Sequence, residues 1–407
     1  MKKIVGQKSL QDNQKLGRRR FLALSGAMGA MALPGIAGNT PRELGLPPRQ
    51  YGSRSPFERA VRYILPGAHP TNGVSYTPLQ DLYGVITPSS LHYEVLRTGV
   101  PSINPENHEL VIHGLVDQPL VLTMDEIKRM PSVSRVHFME CAGNSLEEHQ
   151  GKPQETPQRS HGLASCTEWT GVLLSTLLAE VGVKPEARWL MAEGADAGRL
   201  ARSVPIEKAM DDVIVAYGQN GEALRPEQGY PLRLVVPGWE GNVNVKWLHR
   251  LHIIDQPAMT AYETGSYTDL LPTGKARQFT FVMEAKSVIT RPAGGQRLSG
   301  RGFYEITGLA WSGRGKIVEV EVTTDNGQTW QRAAIQEPIH DKAFVRFRLP
   351  WTWNGMETTM ASRCKDETGY WQPTRSQLIE ARGMQAIDHY NGIKWWRLLA
   401  TGELKHA

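Results

Sequence analysis

Cysteine is scarce in this chain, with three in 407 residues: Cys141, Cys166 and Cys364. None sits in a CxxC pair, and no two have the spacing of a metal site or a dithiol redox couple. No CxxCH is present to attach a haem covalently. A GxGxxG at a strand–helix junction and a P-loop are also missing, which removes the two commonest nucleotide cradles. No internal repeat or low-complexity tract points to a solenoid or a disordered chain. Beyond the N-terminal region no apolar run approaches the roughly 20 residues of a spanning helix, so the mature body is expected to be soluble. The basic excess is local too. Net charge is +5 and the pI about 9.0, but the first twenty residues hold seven basic residues against Asp12 alone. That leaves about −1 for the rest, and nucleic acid is not an expected partner.

The N-terminal stretch GRRRFLALSGAMGAMALPGIAG places Arg18-Arg19-Arg20-Phe21-Leu22 before an Ala/Gly/Leu-rich run that is broken by Pro34. It resembles a twin-arginine export signal and predicts a leader over residues 1–37 and a periplasmic protein. That route carries folded proteins, so the leader itself points to a cofactor inserted before export. The remaining length exceeds what one core usually organises. Forty glycines and 26 prolines favour strands and turns over a helical bundle.

Four regions are expected: the leader, an extended Pro/Gly/Arg-rich arm over 38–75, a mixed α+β domain over 76–273 and a strand-rich domain over 274–400. In the first domain ELVIHGLV reads as a strand. LTMDEIKRMP reads as a short helix with a Thr123–Glu126 capping box and Pro131 as its stop. VSRVHFMEC is a strand whose alternation puts Val136, Phe138 and Glu140 on one face and His137, Met139 and Cys141 on the other. EWTGVLLSTLLAEVG reads as an amphipathic helix, with Leu173, Leu174, Leu177, Leu178 and Val181 on one side and Gly182 as its cap. YPLRLVVPG and VKWLHRLHIID are further strands. Past Lys275 the period becomes two. Val318, Val320 and Val322 oppose Glu319, Glu321 and Thr323, and Asp325-Asn326-Gly327 supplies a hairpin turn. That pattern predicts an antiparallel sandwich of immunoglobulin-like character.

Cys141 closes the strand in HFMECAGNS. From composition alone it is a buried hydrophobe, half of a disulfide or a thiolate ligand, and an odd cysteine count leaves at least one thiol unpaired. The blocks ECAGNS, SCTEWTGVLLSTLLAEVGV and YPLRLVVPGWEGNVNVKWL, in that order, resemble the sulfite oxidase family of molybdenum enzymes. The resemblance extends over roughly Ser90 to Pro373, and ITPSSLHYEVLRTGVPSINPENHELVIHGLV and AKSVITRPAGGQ place it nearest the branch that serves bacterial sulfur oxidation.

The resemblance implies a molybdenum–molybdopterin cofactor with Cys141 as the metal's protein thiolate. Gly143 and Asn144 offer backbone amides beside it. By position in the family pattern, Asp196, Arg233, Asn244, Val245 and Lys246 hold the pterin and its phosphate. Tyr267 falls where the family keeps an active-site tyrosine. The segment that carries Arg-Asn-His in free-sulfite oxidases matches His92 to Thr98 here, so His92 and Tyr93 are cofactor-side candidates. Arg97 is either a cation for the site or a solvated arginine. Gln228 stands where those enzymes have a histidine, which thins the cationic pocket and favours a substrate presented on a carrier protein. The implied function is periplasmic oxidation of carrier-bound sulfane sulfur, with electrons passed to a c-type cytochrome because this chain binds no haem. The implied assembly is a homodimer through the C-terminal domain. The alternatives are a free sulfite:cytochrome c oxidoreductase and, from another class, a cofactor-free periplasmic binding module.

Overall fold

The computed structural model describes residues 47–407; the leader and the first part of the arm lie outside the described residues. The chain divides into two compact units at Glu58. Residues 47–58 of the first unit carry neither helix nor strand. The second unit, Arg59–Ala407, holds all the described helices and strands.

It opens with a small antiparallel sheet of β1 (Tyr63–Pro66), β2 (Gly73–Tyr76) and β3 (Glu94–Leu96). The segment expected to be an extended arm to residue 75 therefore ends in a hairpin. Its second strand pairs with β3, directly below Arg97 in sequence. A mixed sheet follows, in the order β5 (Leu120–Thr123), β4 (Glu109–Gly114), β13 (Leu248–Ile254), β8 (Trp189–Gly194) and β9 (Ala201–Pro205), with β4 and β13 parallel. An antiparallel sheet is built from β6 (Ser132–Glu140), β7 (Ala164–Leu173) and β10 (Ile214–Gln219), with β11 (Glu222–Ala223) and β12 (Arg233–Val235) on β10. Leu110, Ile112 and Leu251 meet Val215, Leu234 and the helix Leu174–Val181 in one core between the two sheets. The helix Met124–Arg129 carries its full Thr123–Glu126 capping box, an arrangement of the kind that contributes about 1 kcal/mol.

After a two-stranded ribbon of β14 (Asp269–Leu270) and β15 (Ala276–Arg277), the C-terminal half is a sandwich of two antiparallel sheets. One is β16 (Lys286–Arg291), β17 (Gly302–Trp311), β21 (Val345–Trp353) and β20 (Ala334–Ile335). The other is β19 (Gln331–Arg332), β18 (Ile317–Thr323), β22 (Thr358–Asp366), β23 (Trp395–Leu398) and β24 (Leu404–His406). The fold class is thus α+β, with most helices in the first half and one, Arg375–Arg382, in the C-terminal half. Phe138, Ala164 and Cys166 of the first half are buried in the same core as Trp311, Phe344 and Trp396 of the sandwich. The alternation of β6 accounts for this. Phe138 points into the sandwich core, while Met139 and Cys141 point into the first half.

Two local expectations change. Glu168–Leu173 is the end of strand β7, and the helix begins only at Leu174. β6 and β10 flank this stretch on both sides, and a Cβ on Gly171 would lie 2.2 Å from the Val215 carbonyl, so tertiary pairing overrides a helix-like apolar run. Val318 is exposed although Val320 and Val322 are buried, because a bulge between Ile317 and Glu319 breaks the alternation. The Asn326-Gly327 turn forms with both residues at positive φ. All three cysteines are free thiols, and no described helix is long and apolar enough to cross a membrane.

Candidate cofactor and active site

A cavity opens where β3, the end of β6, the 226–247 loops and the Tyr262–Tyr267 segment converge. Ten of the thirteen residues singled out from sequence line it: His92, Tyr93, Arg97, Cys141, Asp196, Gln228, Arg233, Asn244, Lys246 and Tyr267. Cys141 follows directly on β6. Its backbone N–H donates to the Leu163 carbonyl at 2.9 Å, so its position is set by the strand and not by a mobile loop. Burial pushes the thiol up to about 11, opposed by a hydrogen bond from the Gly143 amide. A free thiol in this setting is inert; binding to a soft cation would deprotonate it.

The far wall carries two cations. Arg233 is buried, and its guanidinium reaches the carbonyls of Gln228 at 2.8 Å and Asn244 at 3.0 Å, over the Trp169 ring. Burial draws its pKa down to about 10, which leaves it charged at neutral pH. The Lys246 ammonium donates to the carbonyls of Glu227 (3.0 Å) and Val95 (3.3 Å). Burial and the charge of Arg233 lower it to about 7. Neither cation forms a salt bridge among the described residues. Such a pair is costly without an anion, and the cavity between them suits a phosphate.

His92 adds a second unsatisfied group. Its Nδ1 faces the Tyr93 carbonyl at 2.9 Å, and burial holds the ring neutral, with its pKa down to about 3. Its Nε2 has no partner among the described residues. Gln228 donates to the same Tyr93 carbonyl at 3.0 Å. Asp196 accepts from Thr98 at 3.0 Å and from the Gly198 and Leu200 amides, which closes the loop at the cavity's edge. A soft thiol at one end, an unpaired imidazole nitrogen and two uncompensated cations at the other fit a pterin dithiolene that carries a metal and a phosphate.

At the mouth, Arg97 Nη2 donates to the Tyr267 phenol oxygen at 3.0 Å, and its guanidinium lies over the Tyr262 ring at 5.1 Å. Arg97 therefore belongs to the site. Burial raises the Tyr267 hydroxyl to about 12, so it is a neutral phenol.

Three expected residues are not brought to the cavity. Val245 is core, packed with Leu234 and Leu248. Asn144 turns its side chain inward to Glu140 (2.8 Å) and the His161 carbonyl, locking the loop behind Cys141. Gly143 meets the Cys141 sulfur and not the cavity. Sequence reading missed Asn242, Trp247 and Tyr262, which line the cavity. It also missed Arg202 and Glu240 behind it, paired at 3.0 Å and both buried. No motif marks them, because they stand on unrelated elements.

A strand-end thiol facing the buried Arg233 and the half-buried Lys246 suits a molybdopterin oxidoreductase, and likeness to known proteins places the chain in that class. Residues 97–262 match the model of the oxidoreductase molybdopterin binding domain, and residues 277–394 that of the Mo-co oxidoreductase dimerisation domain. The chain is similar to the crystal structure of the sulfane dehydrogenase SoxCD from Paracoccus pantotrophus, with a TM-score of 0.90 and 43% identity over 93% of this chain and 99% of that one. It is 34% identical to mitochondrial sulfite oxidase of Drosophila melanogaster, over 65% of this chain and 50% of that one. It is 32% identical to the NADH nitrate reductase of Ulva prolifera, over 71% and 37%. The chain thus spans from about a third to a half of those two curated relatives. It belongs to the sulfite oxidase family of molybdenum enzymes.

Proposed function

We propose that this chain is the molybdenum subunit of a periplasmic dehydrogenase that oxidises sulfane sulfur held on a carrier protein and delivers the electrons to a c-type cytochrome. The observation that carries the sulfur reading is the likeness to a sulfane dehydrogenase across 99% of that chain. The leader, with its Arg-Arg-x-Phe-Leu core, supports export by the twin-arginine route. The dimerisation domain supports a homodimer.

When bound, the cofactor supplies two-electron oxygen-atom transfer to sulfur. The protein's own groups do the rest. Cys141 would hold the metal; Arg233, Lys246 and His92 would hold the pterin and its phosphate. Tyr267 keeps its proton and presents it beside Arg97, where a sulfur-bound oxygen can be oriented and a proton exchanged. Among the described residues Arg97 is the cation at the mouth, and it is already engaged by Tyr267 and Tyr262. A small free dianion gains little from such a mouth, whereas a sulfur group carried on a protein arm brings binding energy from outside the cavity.

Steady-state rates of the cofactor-loaded protein with carrier-bound thiosulfate sulfur and with free sulfite test the reading. A kcat/KM higher for the carrier-bound group supports it. A higher value for sulfite replaces it with a sulfite:cytochrome c oxidoreductase.

A further inference from the structure

From the C-terminal half of the chain, His389 packs against the loop that follows Cys141. It is buried, and its backbone is left-handed at φ 61°, a conformation that a non-glycine residue keeps only when its surroundings enforce it. Its backbone N–H donates to the Ala142 carbonyl at 2.8 Å, one residue beyond Cys141. Its ring meets Glu240 Oε2 through Nε2 at 3.0 Å and the Val282 carbonyl through Nδ1 at 3.1 Å. Both ring nitrogens thus face acceptors, which fixes the ring in one orientation.

Glu240 passes this hold onward. Its other oxygen takes Arg202 Nη2 at 3.0 Å, and the Arg202 guanidinium lies 5.0 Å from the Tyr267 ring centroid. Arg202 also faces Glu263 at 3.7 Å, and its Nη1 has no partner. The Glu240 backbone is bridged in parallel to Glu140, the residue before Cys141. One residue therefore touches both sides of the site: its backbone N–H holds the loop that carries the thiol, and its ring, through Glu240 and Arg202, reaches the ring that carries the phenol.

We propose that His389 is a positioning residue for the oxidation, fixing the separation of Cys141 and Tyr267 from the sandwich half of the chain. This rests on the reading of Cys141 as metal ligand and Tyr267 as active-site phenol. It makes the C-terminal half a part of the active site as well as a dimerisation module.

Variants His389→Gln and Arg202→Lys in the full cofactor-loaded protein test it, with rates expressed per bound molybdenum. Glutamine keeps a donor for Glu240 but cannot reach Val282 as well. Lysine keeps the charge under Tyr267 but loses the fork between Glu240 and Glu263. Each should lower kcat with carrier-bound thiosulfate sulfur by about 10–100-fold, the usual scale for groups behind a metal's own ligands, with KM moving much less. His389→Gln should also shift the Mo(V) paramagnetic spectrum, since the backbone N–H that holds the Ala142 carbonyl is no longer fixed by a ring anchored on Glu240 and Val282. A purely structural histidine would lower the unfolding midpoint and leave kcat per molybdenum and the spectrum as in the wild type, and that result overturns the proposal. If His389→Gln does not fold, an unchanged kcat in Arg202→Lys overturns it equally. Wild-type protein without molybdenum would remove the underlying reading; wild-type turnover with silent variants would remove this inference alone.

Discussion

Arg97 and Tyr267, 170 residues apart in the chain, meet at 3.0 Å at the mouth of the cavity. The pairing gives the phenol a fixed cation and keeps a positive charge beside Cys141. Burial would lower the Arg97 guanidinium, but the Tyr267 phenol outweighs it and holds it above its usual value; burial raises Tyr267, while Arg97 opposes the rise. Replacing Arg97 by Gln removes a charge-assisted hydrogen bond, worth about 1.5–3 kcal/mol. The expected result is a fall in kcat/KM of about 10–100-fold, most of it in KM for an anionic sulfur group. A variant with unchanged KM would return Arg97 to the status of a surface arginine.

Tyr267→Phe keeps the ring over Arg202 and removes only the hydroxyl. A group that orients oxygen and exchanges a proton contributes about 10²–10⁴-fold to rate. The expected loss is therefore in kcat, read from single-turnover kinetics, with molybdenum content unchanged.

Lys246 gives two pH dependences of opposite sign. Its pKa is about 7 in the folded, cofactor-free chain and about 10.4 when unfolded. Between those values the unfolded state binds the extra proton, so this group makes the cofactor-free protein more stable as pH rises from about 7 to about 10. Phosphate binding needs the protonated amine, so inorganic phosphate should bind the cofactor-free protein more weakly over the same rise. Isothermal titration and denaturant melts across that range measure both. Lys246→Met should abolish both dependences.

The seam behind Cys141 is held by a buried ion pair. Lys286 Nζ sits 2.6 Å from Glu140 Oε1, and Trp311 Nε1 sits 2.7 Å from Glu140 Oε2. Removing one partner of a buried pair typically costs about 3–5 kcal/mol, because the other charge is stranded. Lys286→Met should lower the unfolding free energy by about that amount in urea melts. The double variant Lys286→Met, Glu140→Gln should recover part of the loss.

How much of this was legible in sequence differs by element. β6 was readable because each of its faces is buried against a different core, so Phe138 and Met139 had to alternate. β7 was not, since Gly171 and Thr170 declare a strand only when β6 and β10 flank them from distant parts of the chain. Val318 was misplaced because a bulge leaves no mark in a run of valines. Cys141, Arg233, Lys246 and Tyr267 were legible only through resemblance to a known family. No spacing rule links residues 126 apart that meet in one cavity. Asn144 was noted for its backbone, yet it acts through its side chain on Glu140. Arg202, Glu240 and His389 stayed invisible because charged residues in strands and loops are usually solvated, and only the fold buries them together.

Molybdenum bound by Cys141, in a cavity that also holds the pterin phosphate, is the proposed centre of the site. Metal analysis of protein purified from cells that make molybdopterin tests it most directly, with Cys141→Ser alongside. About one molybdenum per wild-type chain is expected and, in the folded variant, no molybdenum-dependent oxidation of sulfur. Wild-type protein free of molybdenum, or a Cys141→Ser variant with full activity, would contradict it.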